Sequence, residues 1–281
     1  MCGIFGVGFL KNNIVYDKRT VEKLVRGLFL RVESRGKRAS GIAISSTKNI
    51  SILKGPLTAS HFIETPEFKN LLNNNLRISN SYKESERTLA IIGHCRLDTK
   101  GSPENNINNH PIVVKKVVGV HNGMIYNDDQ IYRDGYGLLG FPKRNGEVDS
   151  EAIFALLEFY RGTNKVTDTE MKKVNMTDAI VEASREIEGS AACAVLDAES
   201  PYSLWLFRQY GPISIAVLKR AGLVVFASEL SAIRYAVVDT MLGDLKEIEL
   251  PTHHVMCINV HTNNYSIHNF KANNKRMYHY D

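Results

Sequence analysis

Cys2 stands directly after Met1, in the opening run Met1-Cys2-Gly3-Ile4-Phe5-Gly6. Removal of a first methionine is favoured by a small second residue, and here it leaves one residue with both a thiol and a free α-amine. That pair is a nucleophile with its own base, because an unperturbed α-amine titrates at about pH 7.7–8.0. Taken alone, a cysteine at position two reads first as structural or incidental. Cys95, Cys193 and Cys257 form no close pair suited to zinc or redox work, and no disulfide framework, which fits a reducing compartment. Cys193 and Cys257 lie in apolar runs and read as inert core residues. His94, His110 and His121 invite a metal, but their spacing suits no common motif, so they read as structural hydrogen-bonding residues. Taken singly, Arg96 and Asp149 are charges of the kind that pair at a surface, and Asn122-Gly123 is a hairpin turn signal.

These residues need a frame to bring them together. The 281-residue chain, 43% hydrophobic and 23% charged, has enough apolar material for a sizeable core and no composition break, so residues 2–281 are expected to form one domain. The net charge of +5 is spread along the chain, with its densest stretch at Lys271–Arg276, and reads as solvated surface rather than a nucleic-acid groove. No apolar run approaches the roughly 20 residues that cross a bilayer. The N-terminus lacks the basic region and cleavage site of a signal peptide, so a cytoplasmic protein is expected. Residues 3–9 are a glycine-spaced apolar run suited to a buried strand. Val21, Leu24, Val25, Leu28 and Val32 have helical spacing. Ile42–Ile44 and Ile50–Leu53 read as a hairpin, Thr65–Leu72 as a helix, and Asn73–Asn75 with Ser79–Arg87 as exposed loop. Further strands are expected at Leu89–His94 and Val113–His121, and helices at Ser150–Tyr160, Thr177–Glu188 and Ser231–Val238. Four strand-like runs follow between Ala191 and Ala227, and a last pair lies at Val255–Val260 and Ser266–Phe270. Strands in blocks, with helices between the blocks, imply α+β layering around two packed sheets.

The chain resembles class II glutamine amidotransferases, whose nucleophile is an N-terminal cysteine, in several ordered motifs. Cys2-Gly3-Ile4-Phe5-Gly6 resembles the family's opening, and Arg35-Gly36 through Ser40-Gly41-Ile42-Ala43 its strand–turn element. Gly93-His94-Cys95-Arg96-Leu97-Asp98-Thr99-Lys100-Gly101 is similar to the family's Gly-His-Thr-Arg-Trp-Ala-Thr-x-Gly loop. Asn109-His110-Pro111-Ile112, Val120-His121-Asn122-Gly123, Asp149-Ser150-Glu151 and Ala227-Ser228-Glu229 follow in order. The resemblance covers residues 2–235 and implies a four-layer αββα sandwich of the N-terminal nucleophile hydrolase type. It also implies a reaction in which Cys2 attacks the side-chain amide of glutamine. By resemblance, the Asn122 side chain and the Gly123 N–H form the oxyanion hole. Arg96 holds the α-carboxylate with help from Thr99, Asp149 pairs with the α-ammonium, and Arg35 braces the nucleophile or serves structure alone. No metal or cofactor is called for, and no phosphate-cradling loop is present.

Some features depart from the pattern. Leu97 stands where an aromatic residue is usual, which puts the gating of ammonia in question, and Cys95 replaces a threonine. Residues 58–87 form a longer segment than in the glucosamine-phosphate synthase type and read as a solvated loop in preference to a partner-docking insertion. The sequence stops at Asp281 without an acceptor domain, so a stand-alone glutaminase that docks with a separate synthetase-type subunit is expected. The alternatives are an N-terminal-cysteine amidase acting on other amides, and a non-catalytic glutamine-binding subunit. The Arg96 and Asp149 pair favours an α-amino acid over a bulky acyl group.

Overall fold

Strand β1 (Gly3–Phe9) is buried at each of its seven positions, so it lies inside the molecule with packing on both faces. In a computed structural model of the chain, residues 2–11, 16–78, 82–97, 99–162, 164–166, 171–271 and 274–279 are described. Met1, Asp98 and the start of the expected loop at 79–87 lie outside them.

Helix α1 (Lys18–Val32) begins where the Asp17 carboxylate accepts the Thr20 N–H at 2.8 Å, and it buries Val21, Leu24, Val25, Leu28, Phe29 and Val32. The hairpin β2 (Ala39–Ser45) and β3 (Ile50–Gly55) follows. Short helices α2 (Ala59–Phe62) and α3 (Pro66–Asn75) come next; Thr65 caps α3 and proline opens it. Then come β4 (Ala90–Arg96), β5 (Ile112–Val114), β6 (Val117–Ile125), α4 (Asp128–Gly135) and α5 (Ser150–Gly162). A small ribbon, β7 (Asn164–Val166) with β8 (Met171–Lys173), leads to α6 (Met176–Glu186), β9 (Gly189–Asp197), β10 (Ser203–Gln209), β11 (Ser214–Leu218) and β12 (Leu223–Ala227). The chain continues through α7 (Leu230–Val238), β13 (Lys246–Ile248), β14 (His254–Asn259), β15 (Asn264–Asn269) and β16 (Asn274–His279).

Among the described residues the strands form two antiparallel seven-stranded sheets, ordered β13-β11-β12-β1-β4-β2-β3 and β16-β15-β14-β10-β9-β6-β5. Phe5, Phe29 and Ile233 belong to a core between the first sheet and α1, α2, α3 and α7. Phe154, Ile180 and Cys193 belong to a second core, beneath α5 and α6 on the second sheet. Ile4, Ile92, Val120, Leu206 and Phe226 fill the space between the sheets. This is the expected αββα sandwich. Each fully buried phenylalanine contributes roughly 1.5–3 kcal/mol to it.

Two glycines seat aromatic rings against the strands that carry the site. A Cβ on Gly93 of β4 would lie 2.2 Å from the ring of Phe5, its directly paired neighbour on β1, and Phe5 meets Phe29 of α1 edge-on at 4.6 Å. A Cβ on Gly119 of β6 would lie 2.0 Å from the Phe154 ring on α5. The missing methyl groups let these rings reach the strand backbones.

Several local expectations need correction. Val113–His121 is not one strand but the hairpin β5–β6, turned at Lys115 with φ 50°. Asn73–Asn75 is the last turn of α3 rather than loop, and the expected loop contains a 3₁₀ turn at Glu84–Glu86. Helix α4 and strands β13 and β16 were not expected. In α4 the polar DDQIYRD pattern hides a short helix with only one large buried apolar side chain, Ile131.

Candidate active site

Cys2 lies at the head of β1, and the antiparallel pairing of Gly3 with Cys95 brings the end of β4 beside it. The Leu97 N–H points at the Cys2 sulfur, 3.4 Å away, and the thiol faces the Leu97 carbonyl at 3.5 Å. Burial pushes the Cys2 thiol pKa up, against the pull of the Leu97 N–H, so the sulfur needs a base to become a thiolate. Arg35, from the 3₁₀ turn after α1, donates Nε to the Cys2 carbonyl at 2.9 Å and pairs through Nη1 with Glu229. Arg35 therefore braces the backbone of the proposed nucleophile, and its buried Nη2 has no hydrogen-bond partner among the described residues.

Behind Cys2, the Ser228 hydroxyl joins the two sheets. Its Oγ accepts the Ile4 N–H at 2.9 Å and the Asn122 Nδ2 at 3.2 Å, while Ser228 N–H donates to the Ile4 carbonyl at 2.9 Å. Asn122 and Gly123 are not a turn: they lie within β6, paired with Ala192 and Ala191 of β9. Asn122 is fully buried and its Oδ1 has no hydrogen-bond partner among the described residues. A Cβ at Gly123 would lie 1.9 Å from the Ser190 carbonyl oxygen, so only glycine fits this close approach.

Arg96 and Asp149 are buried, which removes the surface ion-pair reading. Arg96 donates Nη1 to Asn109 Oδ1 at 2.9 Å, and Nη2 to the Lys100 and Gly101 carbonyls at 2.7 Å each, shaping the loop after β4. Thr99 lies exposed on that loop. Lys100 ties the loop to α4 through Asp128 at 2.6 Å and Asp129 at 3.1 Å, and Arg144 holds the same two carboxylates at 2.6 Å each. Asp149 precedes α5 and accepts the Ile125 N–H of β6 at 2.7 Å. The structure thus brings Cys2, Arg35, Arg96, Asn122, Gly123 and Asp149 to one end of the sandwich.

The three histidines form a buried floor between the sheets. His94 Nε2 faces the His121 carbonyl at 3.0 Å, and the His94 ring stacks on His110 at 4.0 Å. His121 Nδ1 meets Ser150 Oγ at 2.7 Å. Burial lowers all three pKa values, that of His94 to about 3, so the floor is uncharged at neutral pH. His94 and His121 are hydrogen-bonded as expected, whereas neither ring nitrogen of His110 has a hydrogen-bond partner among the described residues. Cys193 is core, but Cys257 is partly exposed. Among the described residues, no group of three or more His, Cys, Asp or Glu could hold a metal ion, and no helix is long and apolar enough to cross a membrane. Sequence reasoning missed Ser228 as the link between the sheets and Asn109 as the anchor of Arg96. Their signal was present in the quoted motifs, but a contact across 106 residues is not visible as spacing.

Comparison with known proteins gives concordant results. Residues 94–235 match the family described as glutamine amidotransferase domain. The chain is 28% identical over 235 residues to a glutamine–fructose-6-phosphate aminotransferase (isomerizing) from Clostridium perfringens, covering 83% of this chain and 32% of that protein. It is 30% identical over 236 residues to the protein of the same name from Pyrococcus horikoshii, covering 83% and 33%. The chain thus spans about a third of the length of these relatives. In fold it resembles glutamine phosphoribosylpyrophosphate amidotransferase from B. subtilis, with a TM-score of 0.63 at 16% identity, covering 96% of this chain and 49% of that one. It also resembles a structure titled the allosteric regulatory enzyme of purine biosynthesis, with a TM-score of 0.66 at 16% identity, covering 96% and 49%.

Proposed function

The chain belongs to the glutamine amidotransferase domain family, and from that premise we propose that it cleaves the side-chain amide of glutamine through a Cys2 thioester, releasing glutamate and ammonia. The observation that carries this reading is the hydrogen-bonded link from Ile4, two residues beyond Cys2, through Ser228 Oγ to the Asn122 amide. It fixes a donor from the second sheet in register with the proposed nucleophile from the first.

In this reading, loss of Met1 frees the Cys2 α-amine, which takes the thiol proton as the sulfur attacks the amide carbon. The raised thiol pKa makes such a base necessary. Asn122 Nδ2 and the Gly123 N–H receive the oxyanion; one such donor is worth about 10²–10³ in turnover. Collapse of the tetrahedral intermediate returns the proton to the nitrogen, ammonia leaves, and water hydrolyses the thioester. Asp149 pairs with the α-ammonium. Arg96 takes the α-carboxylate by exchanging the Lys100 and Gly101 carbonyls for it, with Thr99 adding a hydrogen bond from the same loop. Residues 2–281 act as one domain, and the ammonia goes to an acceptor carried by a separate synthetase-type subunit. Leu97 supports a docking face there: its backbone touches the Cys2 sulfur while its side chain is 42% exposed.

The test is intact-mass analysis before and after incubation with a glutamine-mimicking diazoketone. Loss of Met1 and a single adduct on Cys2 are expected. A retained Met1 with Cys2 unlabelled would sink the mechanism.

A further inference from the structure

Lys54 lies on β3, paired with Gly41 of β2, where the loop leading to β5 crosses the hairpin. A Cβ on Gly41 would lie 2.0 Å from the His110 carbonyl oxygen, so the bare backbone at 41 lets residues 109–111 rest directly on the hairpin. Lys54 clamps them there. Its Nζ donates to the Asn109 carbonyl at 2.7 Å and to the Pro111 carbonyl at 3.0 Å, and its own carbonyl accepts Asn106 Nδ2 at 3.0 Å. One side chain thus grips the carbonyls on either side of His110. Burial pulls the Lys54 pKa down from its usual value to about 8, against the attraction of Glu151 on α5. Glu151 spends its carboxylate elsewhere, accepting the Asn145 and Gly146 N–H groups at 2.8 and 2.7 Å. An ammonium drawn out of water costs free energy unless its donors are used, so what this one holds is informative.

The residue it holds is the anchor of Arg96. Asn109 is fully buried, and its Oδ1 accepts Arg96 Nη1 at 2.9 Å. Its Nδ2 donates to the Pro103 carbonyl at 2.7 Å and to Asn106 Oδ1 at 3.1 Å. In the glutaminase reading, Arg96 exchanges the partners of Nη2 for the α-carboxylate while Nη1 stays on Asn109, which makes Asn109 the pivot of that exchange. The contacts of Cys2 run through other elements: the Leu97 N–H follows β4, and Arg35 comes from the turn after α1. A change at Lys54 therefore reaches the amino-acid end of the substrate by a route that bypasses the thiol.

We propose that Lys54 is a positioning residue for substrate recognition: by holding the Asn109 backbone against the β2–β3 hairpin, it sets where Arg96 presents its guanidinium to the α-carboxylate of glutamine. The inference rests on the glutaminase reading above and deepens it. Lys54 touches neither substrate nor any reacting atom, and its effect falls on binding rather than on the attack by sulfur.

The test compares two alkylating probes of Cys2 on the full chain, with the adduct followed by peptide mass spectrometry. The glutamine-mimicking diazoketone carries an α-carboxylate and an α-ammonium, and iodoacetamide carries neither. In Lys54→Met, the half-saturating diazoketone concentration KI should rise about fivefold or more, as expected when one member of a hydrogen-bonded network is removed. The maximal labelling rate and the iodoacetamide rate should each stay within about twofold of the unaltered chain. Lys54→Gln, one atom shorter and uncharged, should act in the same direction and serves if the methionine variant folds poorly. With Arg96→Met already in place, Lys54→Met should change the diazoketone labelling efficiency less than about twofold, since both act on one carboxylate. An unchanged KI in both Lys54 variants, equal effects on the two probes, or losses that multiply with Arg96→Met would each overturn the proposal while leaving the glutaminase reading intact. If Cys2 of the unaltered chain reacts with iodoacetamide but never with the diazoketone, the glutaminase reading itself falls, and the Lys54 proposal with it.

Discussion

Ser228 lends itself to a sharp perturbation, because its hydroxyl serves two buried donors from two different sheets. In Ser228→Ala, the Ile4 N–H loses an acceptor at 2.9 Å and Asn122 Nδ2 loses one at 3.2 Å. Both residues are fully buried, so water does not replace the hydroxyl. An orphaned buried donor costs about 1–3 kcal/mol, which lowers the melting temperature of a chain this size by about 2–4 °C per kcal/mol. The kinetic effect is more informative. If Asn122 supplies an oxyanion donor worth about 10²–10³ in turnover, releasing its amide should lower kcat about 10-fold or more. The KM for glutamine should move less than about threefold, because Ser228 bonds to neither Arg96 nor Asp149. The decisive assay is a double-mutant cycle on glutamate release at saturating glutamine, with thermal melts showing that each variant is folded at the assay temperature. Once Asn122→Ala is present, Ser228→Ala should cost less than about threefold more, since both act through the same amide. If the two losses multiply, Ser228 does not work through Asn122 and the reasoning fails.

Gly123→Ala forces a methyl to 1.9 Å from the Ser190 oxygen, so β6 and β9 must part by at least 1.1 Å to reach the 3.0 Å limit of real Cβ contacts. A loss of about 1–3 kcal/mol in urea unfolding and at least about 100-fold in kcat is expected. His94 has a folded pKa of about 3 against an unperturbed 6.5, so the unfolded chain binds the proton first as pH falls. Its contribution to stability is complete above pH 6.5 and drains away towards pH 3; urea midpoints at pH 7 and 4.5 should differ less in His94→Gln. Lys100→Met removes one of two cations from Asp128 and loosens the loop that Arg96 shapes. An increase in KM for glutamine of up to about fivefold is expected, with kcat held and Lys100→Arg restoring KM. Unchanged KM would show that the latch does not bear on substrate.

Much of the fold was legible because its signals are local. The Val21, Leu24, Val25, Leu28 and Val32 spacing gave α1, and the Thr65-Pro66 start marked α3. The β5–β6 hairpin was obscured because its turn is Lys115-Lys116, with Lys115 in the left-handed region rather than glycine or asparagine. Asn122-Gly123 misled in the opposite sense: a pair that usually signals a turn runs through a strand paired with β9, where glycine meets a need for space. The candidate residues of the site were all visible as motifs. What they touch was not. That Arg96 spends its guanidinium on its own loop, and that Ser228 bridges two sheets, are consequences of long-range register.

The rings seated over Gly93 and Gly119 bear on how such a sequence can drift over generations. For each glycine the three nearest atoms to an added methyl all belong to one ring, Phe5 or Phe154. Alanine at 93 therefore becomes admissible only alongside a smaller residue at 5, and alanine at 119 only alongside a smaller one at 154. Each pair should change in concert across a lineage or not at all. Because β1 and β4 set the height of Cys2 and β6 sets that of Asn122, selection on chemistry reaches the two phenylalanines whose rings seat these strands. Their constancy among descendants would be inherited from geometry rather than from contact with glutamine.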